Sequence, residues 1–102
     1  MIPEADIHPL ASWELEEAVL FYDRRMPGLG RRFLAHVEKA IEQVLLFPEA
    51  APVVGKTVRQ KVLSRFPYSL VYVFEKNAVF FLAVAHQKRE PMYWKDRVPH
   101  DS

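Results

Sequence analysis

The chain has 102 residues, of which 50% are hydrophobic and 26% are charged, a composition typical of one globular domain that excludes a disordered or fibrous chain. It contains no cysteine, so disulfides, thiolate metal sites and a cysteine nucleophile are all excluded. The net charge of +1 gives no strong basic field, but most Lys and Arg lie between residues 56 and 97, so an anionic partner is expected to meet the second half of the chain.

Two amphipathic helices are predicted in the first half of the chain. Apolar residues recur at helical spacing over 9–25, with Pro9 in the first turn and His8 placed to cap it, and again over 31–47. The stretch Met26-Pro27-Gly28-Leu29-Gly30 between them breaks the first helix and permits a tight reversal. Because this connection is short, we expect the helices to lie antiparallel.

The second half is predicted to form a sheet. Residues 58–66 alternate apolar and basic side chains, which indicates a strand with one buried and one solvated face. Residues 68–74 and 78–85 are mostly β-branched or aromatic, and the turn between them contains Asn77, which can adopt a positive φ. Residues 49–57 are predicted to form a loop.

These elements define an α+β fold in which a helical hairpin packs on a three- to four-stranded antiparallel sheet, in the order β-α-α-β-β-β. Its first strand would be a short edge strand over 2–7, which Pro3 weakens. We assign residues 1–98 to one domain and 99–102 to a short C-terminal tail. The sequence shows neither a signal peptide nor an apolar run of roughly 18 residues, so a cytoplasmic protein without a membrane partner is expected.

Four segments, taken in order, resemble the signature segments of the RelE/ParE superfamily of bacterial toxins. They are Pro-Gly-Leu-Gly-Arg-Arg-Phe at 27–33, Phe-Pro at 47–48, Arg-Phe-Pro-Tyr-Ser-Leu-Val-Tyr at 65–72 and Ala-His-Gln-Lys-Arg-Glu-Pro-Met-Tyr-Trp at 85–94. The resemblance implies the toxin of a type II toxin–antitoxin pair, of the plasmid-stabilisation kind, held inactive by a cognate antitoxin. Its target would be either mRNA on the ribosome, cut without a metal or cofactor, or DNA gyrase, poisoned by binding.

The resemblance also implies a candidate catalytic set for RNA cleavage. A metal-free ribonuclease needs a base for the 2′-hydroxyl, cations for the phosphate and an acid for the leaving oxygen. Ribonuclease members carry basic residues on the first strand after the helical hairpin and an Arg followed by a Tyr near the C-terminus. With a histidine added because imidazole can exchange a proton near neutral pH, the matching residues are Arg59, Lys61, Arg65, His86, Arg89 and Tyr93.

Two departures from the ribonuclease pattern leave the target open. Ser69 stands where ribonuclease members have an Arg, and the interval from Arg89 to Tyr93 is shorter than in the best-known pattern. We therefore place mRNA cleavage only slightly ahead of gyrase poisoning. A third possibility is an inactive toxin that only binds its antitoxin.

The same candidate residues also have purely structural interpretations. The cations of residues 58–66 are equally those of a solvated strand face, and His86 is equally a hydrogen-bonded structural histidine. Arg89 and Arg97 can pair with neighbouring or helix acids, and Tyr93-Trp94 can form a packed C-terminal turn.

An antitoxin-binding surface is implied as well. In toxins of this superfamily an apolar groove along the helical hairpin and the sheet edge receives an antitoxin helix or strand. The candidates here are apolar residues off the main helical stripes, namely Trp13, Leu20, Phe21 and Leu34. The alternative is that these side chains pack inside the domain.

Overall fold

The computed structural model describes residues 2–99, and its first half forms the predicted helical hairpin. Helix α1 spans Pro9–Arg25 and helix α2 spans Leu29–Leu46. His8 caps α1 as predicted, because its Nδ1 accepts a hydrogen bond of 3.0 Å from the backbone N–H of Leu10. Both helices lie on the same face of the sheet.

The connection between the helices explains why α2 begins two residues earlier than predicted. Gly28 adopts a φ of 90° and is the N-cap of α2, so the helix already includes Gly30. The Asp23 carboxylate accepts hydrogen bonds from the N–H groups of Gly28 and Gly30, at 3.2 and 2.9 Å. A Cβ atom at position 30 would collide with the carbonyl oxygen of Val19, so this glycine permits the close crossing of the helices.

The sheet has five strands and is mixed. They are β1 (Glu4–Ile7), β2 (Val53–Gly55), β3 (Val58–Val62), β4 (Tyr68–Glu75) and β5 (Ala78–His86). The order across the sheet is β1-β5-β4-β3-β2, with β1 parallel to β5 and all other neighbours antiparallel. The turn between β4 and β5 includes Asn77 at a φ of 58°, as predicted.

The α+β class is confirmed, but the prediction of three to four antiparallel strands was wrong in two respects. Residues 49–57 include strand β2, which pairs with β3 through a turn that places Lys56 at a φ of 46°. A positive φ at a lysine is not signalled by residue type. The edge strand near the N-terminus exists but runs parallel to β5. The sequence did not predict this direction, because a strand pattern carries no information on a distant partner strand or on the relative direction of the two strands.

The predicted alternation over 58–66 was also wrong, because β3 ends at Val62. After it the chain turns, with the Leu63 N–H donating to the Tyr68 carbonyl oxygen at 3.0 Å. The Phe66 ring packs between the helices and the sheet, whereas Val58 is buried on the opposite face. Val62 was expected to be buried and is 54% exposed.

Apolar side chains cover both faces of the sheet. The main core lies between the helices and the sheet and includes Phe33, Leu70 and Tyr72. A smaller cluster on the opposite face, which we call the far face, is covered by the C-terminal turn through Trp94. The residues of the predicted tail after 99 lie outside the described residues.

Candidate functional site

A buried carboxylate joins α1, β5 and the C-terminal turn. Glu14 is 8% exposed and lies on the inner face of α1. Its two oxygens form a bidentate ion pair with the guanidinium of Arg97, with both contacts at 3.0 Å. They also accept the N–H of Val84 at 3.0 Å and the hydroxyl of Tyr93 at 2.8 Å. We call these four residues the Glu14 cluster.

The Glu14 cluster completes the hydrogen bonding of β5 where its neighbour β1 ends. The last residue of β1, Ile7, lies beside Phe81, so β5 continues without a strand on that side. Glu14 accepts the free N–H of Val84, and Arg97 donates to the free carbonyl of Leu82 at 3.0 Å. The pair thus takes the place of a strand along this part of the edge. The structure therefore contains one of the structural alternatives predicted for Arg97, an ion pair with an acid of a helix.

Tyr93 is held by the Glu14 cluster and by two cations. The guanidinium carbons of Arg89 and Arg97 lie 3.8 and 5.0 Å from the centre of its ring. Burial raises the pKa of Tyr93, and the hydrogen bond to Glu14 raises it further because the carboxylate favours the protonated phenol. The hydroxyl of Tyr93 is consequently a strongly held donor within the fold.

Three of the six predicted catalytic residues line one cavity, the far-face cavity, although the His86 ring itself lies on the helix side, against Tyr68, with the ring centres 5.0 Å apart. His86, Arg89 and Tyr93 line a cavity of about 430 Å³, together with Gln60 and Ser69, which hydrogen-bond to each other at 3.0 Å. The Nδ1 atom of His86 accepts the N–H of Lys88 at 3.0 Å, which leaves Nε2 as the nitrogen available to a partner. This cavity therefore presents one imidazole nitrogen and one exposed guanidinium.

The cations of β3 are not brought to that cavity. Arg59 lies opposite Tyr72 on the helix side of the sheet, and its guanidinium donates to the carbonyls of Glu49 and Ala51 at 2.9 and 2.8 Å. Lys61 lies opposite Leu70, on the same side of the sheet. Arg65 belongs to the turn after β3 and lies beyond the strand. None of these three cations therefore lines the cavity that His86, Arg89 and Tyr93 share.

The separation of the β3 cations from the far-face cavity has a physical cause that the alternation of residues does not reveal. Strand β3 pairs with β4 on the side away from β5, and α1 packs on β5. The helix side of β3 is bordered instead by residues 47–52. The free carbonyl groups of that segment attract Arg59, so its charge is directed toward the helix layer. The sequence pattern shows that basic and apolar residues alternate, but it does not show which side the helices occupy.

The predicted antitoxin contacts lie mainly on the outer face of α1. Trp13 is 56% exposed, Leu20 and Phe21 are about half-exposed, and Leu34 on α2 is partly buried. Trp13 and Phe21 border an open cleft of about 330 Å³ that His86 and Arg89 line as well. Three of these four candidates therefore present apolar surface to solvent.

Sequence reasoning did not assign Glu14 to any site. It does carry a signal, since Glu14 falls at core spacing between the buried residues Ala11 and Ala18. An acid on a buried helical stripe needs a partner, and Arg97 provides it. Among residues 2–99 there is no group of three His, Asp or Glu side chains that could hold a metal ion. No described helix is long and apolar enough to cross a membrane.

The protein is a small α+β domain with a helical hairpin on a mixed sheet and with exposed apolar side chains on α1. The sequence model of the ParE toxin of the type II toxin–antitoxin system parDE matches residues 5–91. The chain therefore belongs to the ParE toxin family, which confirms the resemblance to RelE/ParE toxins.

A solved structure supports the fold. A chain of the chromosomal ParDE toxin–antitoxin system from P. aeruginosa is similar to this one with a TM-score of 0.74 and 13% identity. The match covers 83% of this chain and 96% of that chain. No curated protein sequence matches this chain.

Proposed function

We propose that this chain is the toxin of a type II pair, that a cognate antitoxin neutralises it, and that it arrests growth by binding DNA gyrase rather than by cutting mRNA. The observation that carries the choice of target is the division of the candidate catalytic groups. Arg59, Lys61 and Arg65 do not line the cavity that His86, Arg89 and Tyr93 share, and the guanidinium of Arg59 is held by the backbone carbonyls of Glu49 and Ala51. A cleavage site would need its cations and its proton-transfer groups on one phosphate.

The state of Tyr93 also argues against its acting as a general acid. Its hydroxyl already donates to Glu14, and its pKa is raised by burial and by that carboxylate. An efficient acid has a pKa near the working pH, and this environment moves Tyr93 away from it. Of the two targets that the superfamily resemblance implies, gyrase suits a protein that acts by binding alone.

RNA cleavage on the ribosome is the second candidate, and one observation favours it. His86 and Arg89 share the far-face cavity, with Nε2 of the imidazole available. These two residues can supply a proton-transfer group and a cation for a phosphate. In that case Lys61 and Arg65 would contribute only through a rearrangement that brings them to this cavity.

Inducible expression in a bacterium, with DNA and protein synthesis followed separately by pulse labelling, tests this choice. We expect DNA synthesis to fall first and the folded variants His86→Gln and Tyr93→Phe to retain that effect. Early loss of protein synthesis that either variant relieves would instead establish RNA cleavage. Normal growth would point to an inactive toxin that only binds its antitoxin.

The antitoxin part of the proposal concerns an exposed row on α1, formed by Trp13, Leu20 and Phe21. Leu34 on α2, which is partly buried, would extend this surface. We expect Trp13→Asp and Phe21→Asp to weaken antitoxin binding without unfolding the domain, because each places a charge in an apolar interface. Met26→Asp is the matched control, since Met26 is equally exposed but lies at the end of the helix. Unchanged affinity in the folded α1 variants would remove this surface from the interface.

A further inference from the structure

A second cavity of the far face opens between the turn that joins β2 to β3 and the C-terminal turn. Its volume is about 570 Å³, which is within the range of small-molecule sites. We call it the C-terminal cavity. It shares Met92 and Trp94 with the far-face cavity, but none of the six candidate catalytic residues lines it.

The inner surface of the C-terminal cavity is apolar. Val58 and Trp94 are 4% and 5% exposed and belong to the buried cluster of the far face. Val98 packs against that cluster, and Met92, which is 48% exposed, lies at the side of the cavity. An apolar group that enters the cavity therefore leaves water and contacts an indole, a thioether and two valines.

Two exposed lysines give one side of the C-terminal cavity a positive charge. Lys56 belongs to the turn between β2 and β3, and Lys95 follows Trp94 in the C-terminal turn, so each wall contributes one ammonium group. Neither lysine forms an ion pair within residues 2–99. Asp96 is the one carboxylate that lines the cavity, so two lysines and one aspartate leave an excess of a single positive charge.

We propose that the C-terminal cavity binds a small amphipathic monoanion, an aliphatic or aromatic carboxylate. Its apolar body packs against Met92 and Trp94, and its carboxylate accepts hydrogen bonds from Lys56 and Lys95. The hydroxyl of Thr57, which also lines the cavity, is a further donor for the carboxylate.

The lining residues favour a monoanion over a phosphate group or a nucleic acid. Asp96 repels a second negative charge, and the excess of one positive charge matches one carboxylate. A nucleic-acid backbone binds through many phosphate contacts along an extended basic surface, which two lysines beside an aspartate do not provide.

A bound ligand would join the turn between β2 and β3 to the C-terminal turn. The C-terminal turn also carries Arg97, which pairs with Glu14 and donates to the carbonyl of Leu82 in β5. A ligand that binds only the folded chain raises its melting temperature, and here it would do so by holding the segment that completes the edge of β5. Binding at this site needs neither gyrase nor an antitoxin, so the inference goes beyond the proposed function and can be tested apart from it.

Fluorescence titration of the Trp13→Phe variant with octanoate tests the inference. The chain has two tryptophans, and this substitution at the exposed Trp13 leaves Trp94, at the wall of the cavity, as the reporter. We expect a saturable change in Trp94 emission with a dissociation constant of about 1 mM. We expect 1-octanol and octylammonium, which have the same chain without the negative charge, to bind at least about 5-fold more weakly.

A matched pair of charge variants assigns the carboxylate to the two lysines. We expect Lys56→Gln with Lys95→Gln to raise the dissociation constant of octanoate about 5-fold and to leave that of 1-octanol unchanged. The control is Lys76→Gln with Lys88→Gln, at exposed positions outside the cavity. Lys76, like Lys56, lies in a hairpin turn at a positive φ, so the control also matches the backbone setting, and it should leave the affinity for octanoate unchanged.

Two single variants separate the C-terminal cavity from the far-face cavity. Met92→Glu adds an acid at a half-exposed position, and we expect it to weaken octanoate binding in a chain that circular dichroism shows to be folded. Arg89→Gln removes the guanidinium of the far-face cavity and should leave octanoate binding unchanged. Loss of binding in Arg89→Gln, with normal binding in the Lys56 and Lys95 variant, would place the anion in the far-face cavity and overturn the inference.

Three further results would overturn it. The first is an absence of any saturable change in Trp94 emission, and the second is binding of 1-octanol as tight as that of octanoate. The third is emission of the ligand-free protein that changes on dilution, which would show that a second copy of the chain occupies the cavity.

Discussion

At the scale of single residues, the stability of the fold depends on a carboxylate that sequence patterns would place in an apolar core. Glu14 uses both oxygens, and each accepts two hydrogen bonds. The same interactions join the N-terminal helix to β5 and to the C-terminal turn. A buried charge is tolerated here because a paired cation and two further donors replace the lost water.

Replacing the buried carboxylate tests this description. We expect Glu14→Gln to lower the free energy of unfolding by about 3 kcal/mol, because the Arg97 guanidinium is left buried without its counter-ion. Urea unfolding followed by circular dichroism measures the change. Glu16→Gln, at an exposed position of the same helix, serves as control and should change stability by less than about 0.5 kcal/mol. Equal small effects in both variants would show that the ion pair contributes little.

Tyrosine ionisation gives a second test at this scale. The pKa values of all four tyrosines are raised, with burial as the largest cause in each: Tyr22, Tyr68, Tyr72 and Tyr93. Because the folded pKa lies above the unfolded value of about 10, this stabilisation is fully present below that pH and is lost as the pH rises through the folded pKa.

We therefore expect little tyrosinate absorbance from the native protein at a pH of about 10, and a joint rise in absorbance and loss of circular dichroism at higher pH. The Tyr93→Phe variant should have a lower free energy of unfolding than the original chain. This difference should become smaller as the pH rises above the pKa of an unfolded tyrosine, about 10. Normal ionisation of all the tyrosines in a protein that stays folded would contradict the burial described here.

At the scale of elements, the helices were predicted more closely than the strands. Helical periodicity, Pro9 and the His8 cap fixed α1 at its observed bounds, because these are local signals. Strand β2 has only three residues and depends on a positive φ at Lys56, which no local signal predicts. The direction of β1 depends on β5, far along the chain, and was beyond the reach of a local pattern.

The crossing of the two helices supplies a prediction at this scale. Gly30→Ala should destabilise the domain by about 1 to 3 kcal/mol, because the added methyl group meets the Val19 carbonyl oxygen and the Asp23 side chain. Alanine ordinarily stabilises a helix relative to glycine, so a loss of stability identifies the close contact. Glu38→Ala, at an exposed position of α2, is the control, and a gain of stability in Gly30→Ala would contradict the tight crossing.

At the scale of the whole molecule, family membership could be predicted from ordered motifs, whereas the arrangement of the candidate site could not. Each motif is a short local stretch of sequence, and the order of the motifs follows the order of the helices and strands along the chain. Whether Arg59 meets His86 depends on the placement of β3 and β5 on opposite sides of β4 and on the carbonyls of Glu49 and Ala51 that hold Arg59. That information arises only when the helices and the sheet have packed together.

The molecule as a whole carries an exposed apolar row on α1 and one interior ionic cluster. The row consists of Trp13, Leu20 and Phe21. The Glu14 cluster is occupied with holding the sheet and the C-terminal turn. The proposal that the toxin acts by binding rather than by catalysis rests on this distribution.

The most direct test is to add the purified protein to two reconstituted systems, DNA gyrase with plasmid DNA and ribosomes with mRNA. We predict inhibition of supercoiling or accumulation of gyrase-cleaved DNA, retained in the folded variants His86→Gln and Tyr93→Phe, and intact mRNA on the ribosome. Cleavage of the ribosome-bound mRNA, abolished by either variant, together with normal gyrase activity, would contradict the proposed function and establish the far-face cavity as a ribonuclease site.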